Sequence, residues 1–149
     1  MTEPPNNKTS RQLIGWREWA GLPDLGVEHI GAKIDTGAKS SALGAFDIRQ
    51  LREAGHHLVE FCLQPDQLDN KSEHRCRAPF AGTRIIRSSN GQEEERVVIE
   101  TRIGLGGRLA KIELTLTNRD AMDFQLLIGR NALGRKFLVN PAASYLLGR

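Results

Sequence analysis

Ala32-Lys33-Ile34-Asp35-Thr36-Gly37-Ala38-Lys39-Ser40-Ser41-Ala42-Leu43 decides how the rest of the chain is read. The stretch enters as a short apolar strand, Gly31 to Ile34, and breaks at Asp35-Thr36-Gly37. These three residues favour a turn: glycine tolerates unusual dihedrals and close backbone approach, and Asp and Thr side chains bond to nearby amides. A carboxylate at the end of a buried strand is costly unless it is paired or put to use. Taken alone, Asp-Thr-Gly is well described as an ordinary strand-end turn. A second segment shifts the weight. Phe124-Gln125-Leu126-Leu127-Ile128-Gly129-Arg130-Asn131-Ala132-Leu133 carries an apolar run into Gly129, with a short helical pattern beyond Arg130.

Outward from these segments, the chain has the composition of one small folded domain. It has 149 residues, 39% hydrophobic and 26% charged, and its aromatic content of 5% leaves the core to Leu, Ile, Val and Ala. Residues 1–11 form a polar leader containing Pro4-Pro5 and Asn6-Asn7, and residues 12–149 form the domain. The leader lacks the apolar core of a signal peptide, and no run approaches transmembrane length, so a cytoplasmic protein with no membrane partner is expected. Cys62 and Cys76 fit a reducing compartment and make no disulfide framework. The net charge is +3. The basic residues lack the interleaved aromatics of a nucleic-acid surface, which argues against such a partner.

Period-two patterns and turn signals recur along the whole length. Strands are expected at Gln12 to Trp19, Val27 to Ile34, Ser40 to Ile48, Leu58 to Leu63, His74 to Ile86 with a break at Gly82, Val97 to Ile103, and Lys111 to Thr117. Phe137 to Val139 and Tyr145 to Leu147 read as late strands, and Asn131 to Gly134 as a short helix. Arg49 to Gly55 reads as a polar connector and Gln64 to Glu73 as a polar loop. Asn90-Gly91, set between Arg84-Ile85-Ile86-Arg87 and Arg96-Val97-Val98-Ile99, is a strong hairpin signal. Many short strands with little helix mean an all-β, barrel-like fold.

An apolar strand ending in Asp-Thr-Gly-Ala, followed later by Leu-Ile-Gly-Arg-Asn-x-Leu, resembles the retropepsin-like aspartic proteases. The wider chain resembles a narrower bacterial family within that group, historically labelled "ATP-dependent zinc protease" and associated with ATP-grasp glutamate ligases. The matching residues include Ile14-Gly15-Trp16-Arg17-Glu18-Trp19, Leu22-Pro23, Ala32 to Leu43, Arg87 to Gly91, Asn118-Arg119, Leu127 to Leu133 and Phe137-Leu138-Val139. The resemblance covers roughly residues 13–148. It implies a homodimeric acid-protease barrel with a flap hairpin, in which the second segment packs beneath the first.

The resemblance also implies roles. Asp35, Thr36 and Gly37 would be catalytic. Ala38, Lys39, Arg84, Arg87, Asn90 and Gly91 would contact a peptide or protein substrate, and Gly129 and Arg130 would support the loop. Aspartic proteases use two carboxylates sharing one proton, and this chain has a single Asp-Thr-Gly, so a second copy must supply the other Asp35. In the viral relatives the supporting arginine meets an acidic residue just after the motif; Lys39 stands there in this chain. The narrower family commonly carries His where this chain has Gly44.

No cofactor and no metal are expected: phosphate-loop and His-Glu-x-x-His patterns are missing, and His29, His56, His57, Cys62, His74 and Cys76 lack zinc-ligand spacing. Association with glutamate ligases extends the reading to glutamate-rich tails as substrate. Glu93-Glu94-Glu95, just past the flap turn, oppose that extension unless they are neutralised. The competing readings are a non-catalytic dimeric binding module and a zinc-dependent hydrolase.

Overall fold

Alternating apolar residues, such as Ile112, Leu114 and Leu116, give this chain strands with one buried face, and the strands assemble into one continuous sheet. The computed structural model describes residues 11–63, 74–87, 90–118 and 124–148. Its strands are β1 (Gln12–Leu22), β2 (Val27–Ile34), β3 (Ser41–Gly44), β4 (Phe46–Glu53), β5 (His56–Leu63), β6 (His74–Arg87), β7 (Glu93–Leu105), β8 (Arg108–Thr117), β9 (Leu126–Ile128) and β10 (Phe137–Ser144). A 3-10 turn at Pro23–Leu25 and one short helix, α1 (Arg130–Leu133), complete the elements. No helix among the described residues is long and apolar enough to cross a membrane.

The strand order is β10-β1-β2-β9-β3-β8-β7-β6-β5-β4. Gly21 also pairs with Gly104, joining β1 to β7, so β1, β2, β9, β3, β8 and β7 close into a ring. Closure removes sheet edges, which otherwise present unpaired backbone groups. Ile14, Leu22, Ile30, Leu43, Ile99, Leu114, Leu126 and Ile128, all from ring strands, are fully buried in one apolar cluster, and Val59 and Phe61 of β5 join it. At about 1.5–3 kcal/mol for each fully buried aliphatic side chain, this cluster is the main stabilising term.

The decisive pairing is that of β9. It runs parallel to β2, with Ala32 opposite Leu126 and Ile34 opposite Ile128, and antiparallel to β3, with Leu43 opposite Leu126. The second segment therefore lies between the two strands that flank the Asp35 turn, as the resemblance implies. The flap hairpin is also present. β6 and β7 pair from Phe80 opposite Ile99 to Arg87 opposite Glu93, with Asn90-Gly91 at the turn; Ser88 and Ser89 lie outside the described residues. The break expected at Gly82 is a β-bulge, and Gly82 sits at φ +114°, where a side chain would be strained.

Three local expectations are corrected. Ser40 to Ile48 is not one strand, because the chain breaks at Ala45. β3 belongs to the ring, whereas β4 pairs with β5 outside it, and the positive φ of Asp47 and a register shift mark the change of direction. Arg49 to Gly55 is not a connector: β4 continues through Glu53, and only Ala54-Gly55 turns. Its polar look comes from an exposed outer face. Tyr145 to Leu147 is not a strand. The chain leaves β10 at Ser144, Tyr145 takes φ +53°, and the amides of Leu146 and Leu147 donate to the carboxylate of Glu18 at 2.9 and 3.2 Å. Glu18 is fully buried and also accepts the Gly15 amide at 2.7 Å, so one side chain replaces a ladder partner. Trp19 stacks on Tyr145 beside it, with centroids 5.5 Å apart. The expected leader, apart from Arg11, and the Gln64 to Glu73 loop lie outside the described residues.

The described residues between Arg49 and Pro79 form a leaf of β4, β5 and the start of β6. Val59, Phe61, Leu63, Cys76 and Ala78 feed its inner face into the core. Its outer face is an ion-pair lattice: Arg75 meets Asp47 and Glu60 at 3.1 and 3.3 Å, and Arg77 meets Glu53 and Glu60 at 3.0 and 3.3 Å.

Candidate active site

Asp35 follows the last residue of β2 and is half-buried. Its amide donates to the Ile128 carbonyl at 2.8 Å, which carries the β2–β9 ladder one step into the turn. Its carbonyl accepts the Ala38 amide at 3.2 Å, and its Oδ1 accepts the Gly37 amide at 3.0 Å. Main chain and carboxylate are thus fixed by the turn itself, as an Asx motif does. Among the described residues Oδ2 has no partner.

The helix beneath holds the rest of the turn. A helix start leaves its first amides without intrahelical acceptors. Here the Arg130 amide donates to the Ala38 carbonyl at 2.8 Å, and the Asn131 amide donates to the Lys39 carbonyl at 2.9 Å. The Arg130 guanidinium donates to the Thr36 carbonyl at 3.0 Å. This main-chain oxygen takes the place of the acidic side chain that Lys39 displaces. Gly129 is where the two segments touch: a Cβ there would lie 2.3 Å from the Ser40 carbonyl oxygen and 2.8 Å from that of Ala38. Only glycine fits so close an approach.

Two residues missed in the sequence complete the support. Ser41 is fully buried; its Oγ accepts the Gly129 amide at 2.9 Å and donates to Asn131 Oδ1 at 2.6 Å. Asn131 Nδ2 then donates to the Glu113 carbonyl on β8 at 3.2 Å. Ser41 could have been suspected as a hydroxyl held inside an otherwise apolar strand. Asn131 is the asparagine of the Leu-Ile-Gly-Arg-Asn-x-Leu motif, though nothing local assigns it this contact, and nothing local marks Glu113.

Of the expected substrate contacts, Ala38 and Lys39 lie on the turn, Thr36, Gly37 and Lys39 are exposed, and Asn90 and Gly91 lie at the flap turn. Arg84 and Arg87 lie on the flap strand, and each already holds a carboxylate of this chain: Arg84 pairs with Glu113, and Arg87 with Glu93 at 2.7 Å. A groove of about 810 Å³ contains none of the expected site residues. It lies at the Val27 end of β2, between Trp19, Gly104–Leu109 and Leu147, the opposite end from Asp35.

Among the described residues, no group of three or more His, Cys, Asp or Glu is placed to hold a metal ion. Of the six His and Cys residues considered, His74 and Cys76 lie two apart on β6. His74 Nε2 donates to the Leu25 carbonyl at 2.5 Å. The Cys76 thiol is pushed up to about 12, first by burial and then by the neighbouring Cys62.

The model of the family described as "Retropepsin-like aspartic endopeptidase RimB" matches residues 13–149. The chain belongs to this RimB-like family. A crystal structure of a Legionella pneumophila protein with unknown function superimposes with a TM-score of 0.78 at 27% identity, covering 93% of this chain and 99% of that one. Curated relatives are much longer. A protein of Shewanella pealeana named "Probable alpha-L-glutamate ligase" is 44% identical over 136 residues, which is 91% of this chain and 30% of the relative. One from Desulfotalea psychrophila with the same name is 39% identical over 139 residues, 93% of this chain and 30% of the relative. The RimB-like chain thus spans about a third of the length of the curated relatives it matches.

Proposed function

We propose that this RimB-like chain is an aspartic-type endopeptidase whose working unit is a homodimer, with one Asp35 from each copy forming the catalytic pair. The observation that carries this is the state of Asp35: its backbone and Oδ1 are held from several directions, while Oδ2 has no partner among the described residues. Two carboxylates brought together share one proton, because like charges so close cannot both ionise. The ionised one takes a proton from water, and the water attacks the scissile carbonyl carbon. The protonated one donates to the carbonyl oxygen. When the tetrahedral species collapses, the proton taken from water passes to the leaving amine. Thr36, exposed beside the pair, hydrogen-bonds across the two-fold axis. Ala38, Lys39, Asn90 and Gly91 line the substrate backbone, and Gly129 and Arg130 keep the turn from sagging. The substrate is a glutamate-rich tail. The names of the longer relatives, which concern ligation of glutamate, support that choice.

The test is peptidase activity on an oligo-α-glutamate peptide between about pH 3 and pH 8, for the wild type and Asp35→Asn, alongside sedimentation of both. Cleavage by a dimeric wild type, lost in a folded Asp35→Asn, is the expected result. Cleavage that survives the substitution removes Asp35 from the chemistry. A second reading, a non-catalytic binding module, is favoured by one observation: in the relatives the same domain lies within polypeptides named only for ligation. A monomer in solution with no activity on any peptide would select it.

A further inference from the structure

The flap carries three arginines with partners of opposite charge: Arg84 with Glu113, Arg87 with Glu93 at 2.7 Å, and Arg96 with Glu94 at 2.8 Å. Glu93 and Glu94 are thereby paired within the hairpin, while Glu95, exposed opposite Ile85, has no ion pair among the described residues and still opposes an acidic substrate on its own face of the strand. Arg84 differs from the other two. It faces Arg96 directly across the strands, a like-charged pair that draws carboxylates toward it. Its own carboxylate comes from outside the hairpin, from β8. That same residue receives Asn131 Nδ2 on its carbonyl, and the Asn131 amide holds the Lys39 carbonyl. Three contacts lead from the Arg84 guanidinium to the turn that follows Asp35.

We infer that Arg84 is a carboxylate subsite beside the catalytic turn, and that the Glu113 side chain is its resident occupant, displaced by an acidic side chain of the substrate. This rests on the peptidase reading above and names the group that selects its substrate class. Arginine presents a planar fork matched to a carboxylate, so Glu113 and a substrate glutamate compete for one geometry. The resident pair is easily given up. Both side chains are exposed, 45% and 39%, and such a pair is worth at most about a fivefold factor in an equilibrium. The exchange is therefore close to balanced for acidic side chains. A basic side chain is repelled by Arg84 and Arg96 together, and a neutral one gains nothing from displacing Glu113.

The experiment is the affinity of an oligo-α-glutamate peptide, with oligo-glutamine as control, for protein carrying Asp35→Asn, which binds without cutting. In that background, with Glu113→Gln also in place so that no resident carboxylate competes, Arg84→Gln should weaken oligo-glutamate binding about two- to fivefold, with Arg84→Lys in between. Glu113→Gln should tighten it by about two- to fivefold, because its backbone contact with Asn131 is retained while the competing charge is lost. Oligo-glutamine should respond to neither. Unchanged or weaker oligo-glutamate binding in Glu113→Gln, unchanged binding when Arg84→Gln is added to Glu113→Gln, or no binding of the peptide at all overturns the subsite. The two proposals fail separately. If the wild type does not cleave but the binding pattern holds, the peptidase reading falls and the subsite stands. If the wild type cleaves and the pattern is absent, the subsite alone falls.

Discussion

The Asp35 turn and the β4–β5–β6 leaf are built from opposite materials. The turn is held by main-chain hydrogen bonds, one buried hydroxyl and a glycine pressed against carbonyl oxygens. The leaf is apolar on its inner face and carries exposed ion pairs on its outer one. Interactions of the first kind have no slack: a removed partner leaves a buried donor or acceptor unpaired. Those of the second kind are each small and screened by salt. A reacting group that must be placed to a fraction of an ångström is placed by main chain, and the surface that only covers the core is left to side chains that can rearrange. The flap arginines belong to the second material, which suits a partner that must be exchanged.

The comparison is tested hardest at Gly129. Gly129→Ala places a methyl where the Ser40 carbonyl already sits, and should destabilise the fold by roughly 3 kcal/mol or abolish it, as overpacking at an unyielding backbone does. Urea unfolding reads this directly; a loss under about 1 kcal/mol would mean the two segments can separate without cost. Ser41→Ala comes next. It strips the buried Gly129 amide and the partly buried Asn131 amide oxygen of a partner, for about 1–3 kcal/mol. Peptidase activity should fall further than stability alone accounts for, because the support of the turn loosens.

The smallest effect is expected on the leaf, and it depends on pH. Hydrogen bonds from Arg75, then from Arg49, hold the Asp47 carboxyl below its ordinary 3.8. A carboxyl whose folded value is depressed stabilises the fold above the unfolded value, and that contribution disappears as pH falls through the folded one. Asp47→Asn should therefore lower stability slightly at neutral pH, where the contribution is present, and flatten the fall of stability below about pH 4. A large loss at neutral pH would show that the leaf is held as tightly as the turn.

Much of this architecture was legible in the chain. The bounds of β2 were read as found, because Val27, Ile30, Ala32 and Ile34 are buried along a strand that ends at a turn-forming triplet. The hairpin at Asn90-Gly91 and the helix after Gly129 were also read, from turn chemistry and from an apolar run closed by glycine. The misreadings share a cause. The Arg49 to Glu53 part of β4 was taken for a connector because only one of its faces meets the protein, and Tyr145 to Leu147 for a strand because apolar character does not reveal a buried carboxylate waiting for its amides.

By itself the sequence determined the class of fold, the place of the Asp35 turn and the segment that had to lie beneath it. These depend on alternation, turn residues and a close-approach glycine, all properties of a few neighbouring residues. Only the tertiary structure decided that β9 slots between β2 and β3, that Ser41 and Asn131 tie Gly129 to β8, that Glu18 anchors the last residues, and that Glu113 occupies Arg84. Each of these joins residues far apart in the chain, from Arg84 to Glu113 through to Glu18 and Leu147. Local periodicity carries no information about which distant partner a strand edge or a side chain will meet; that choice is made when the whole core packs at once.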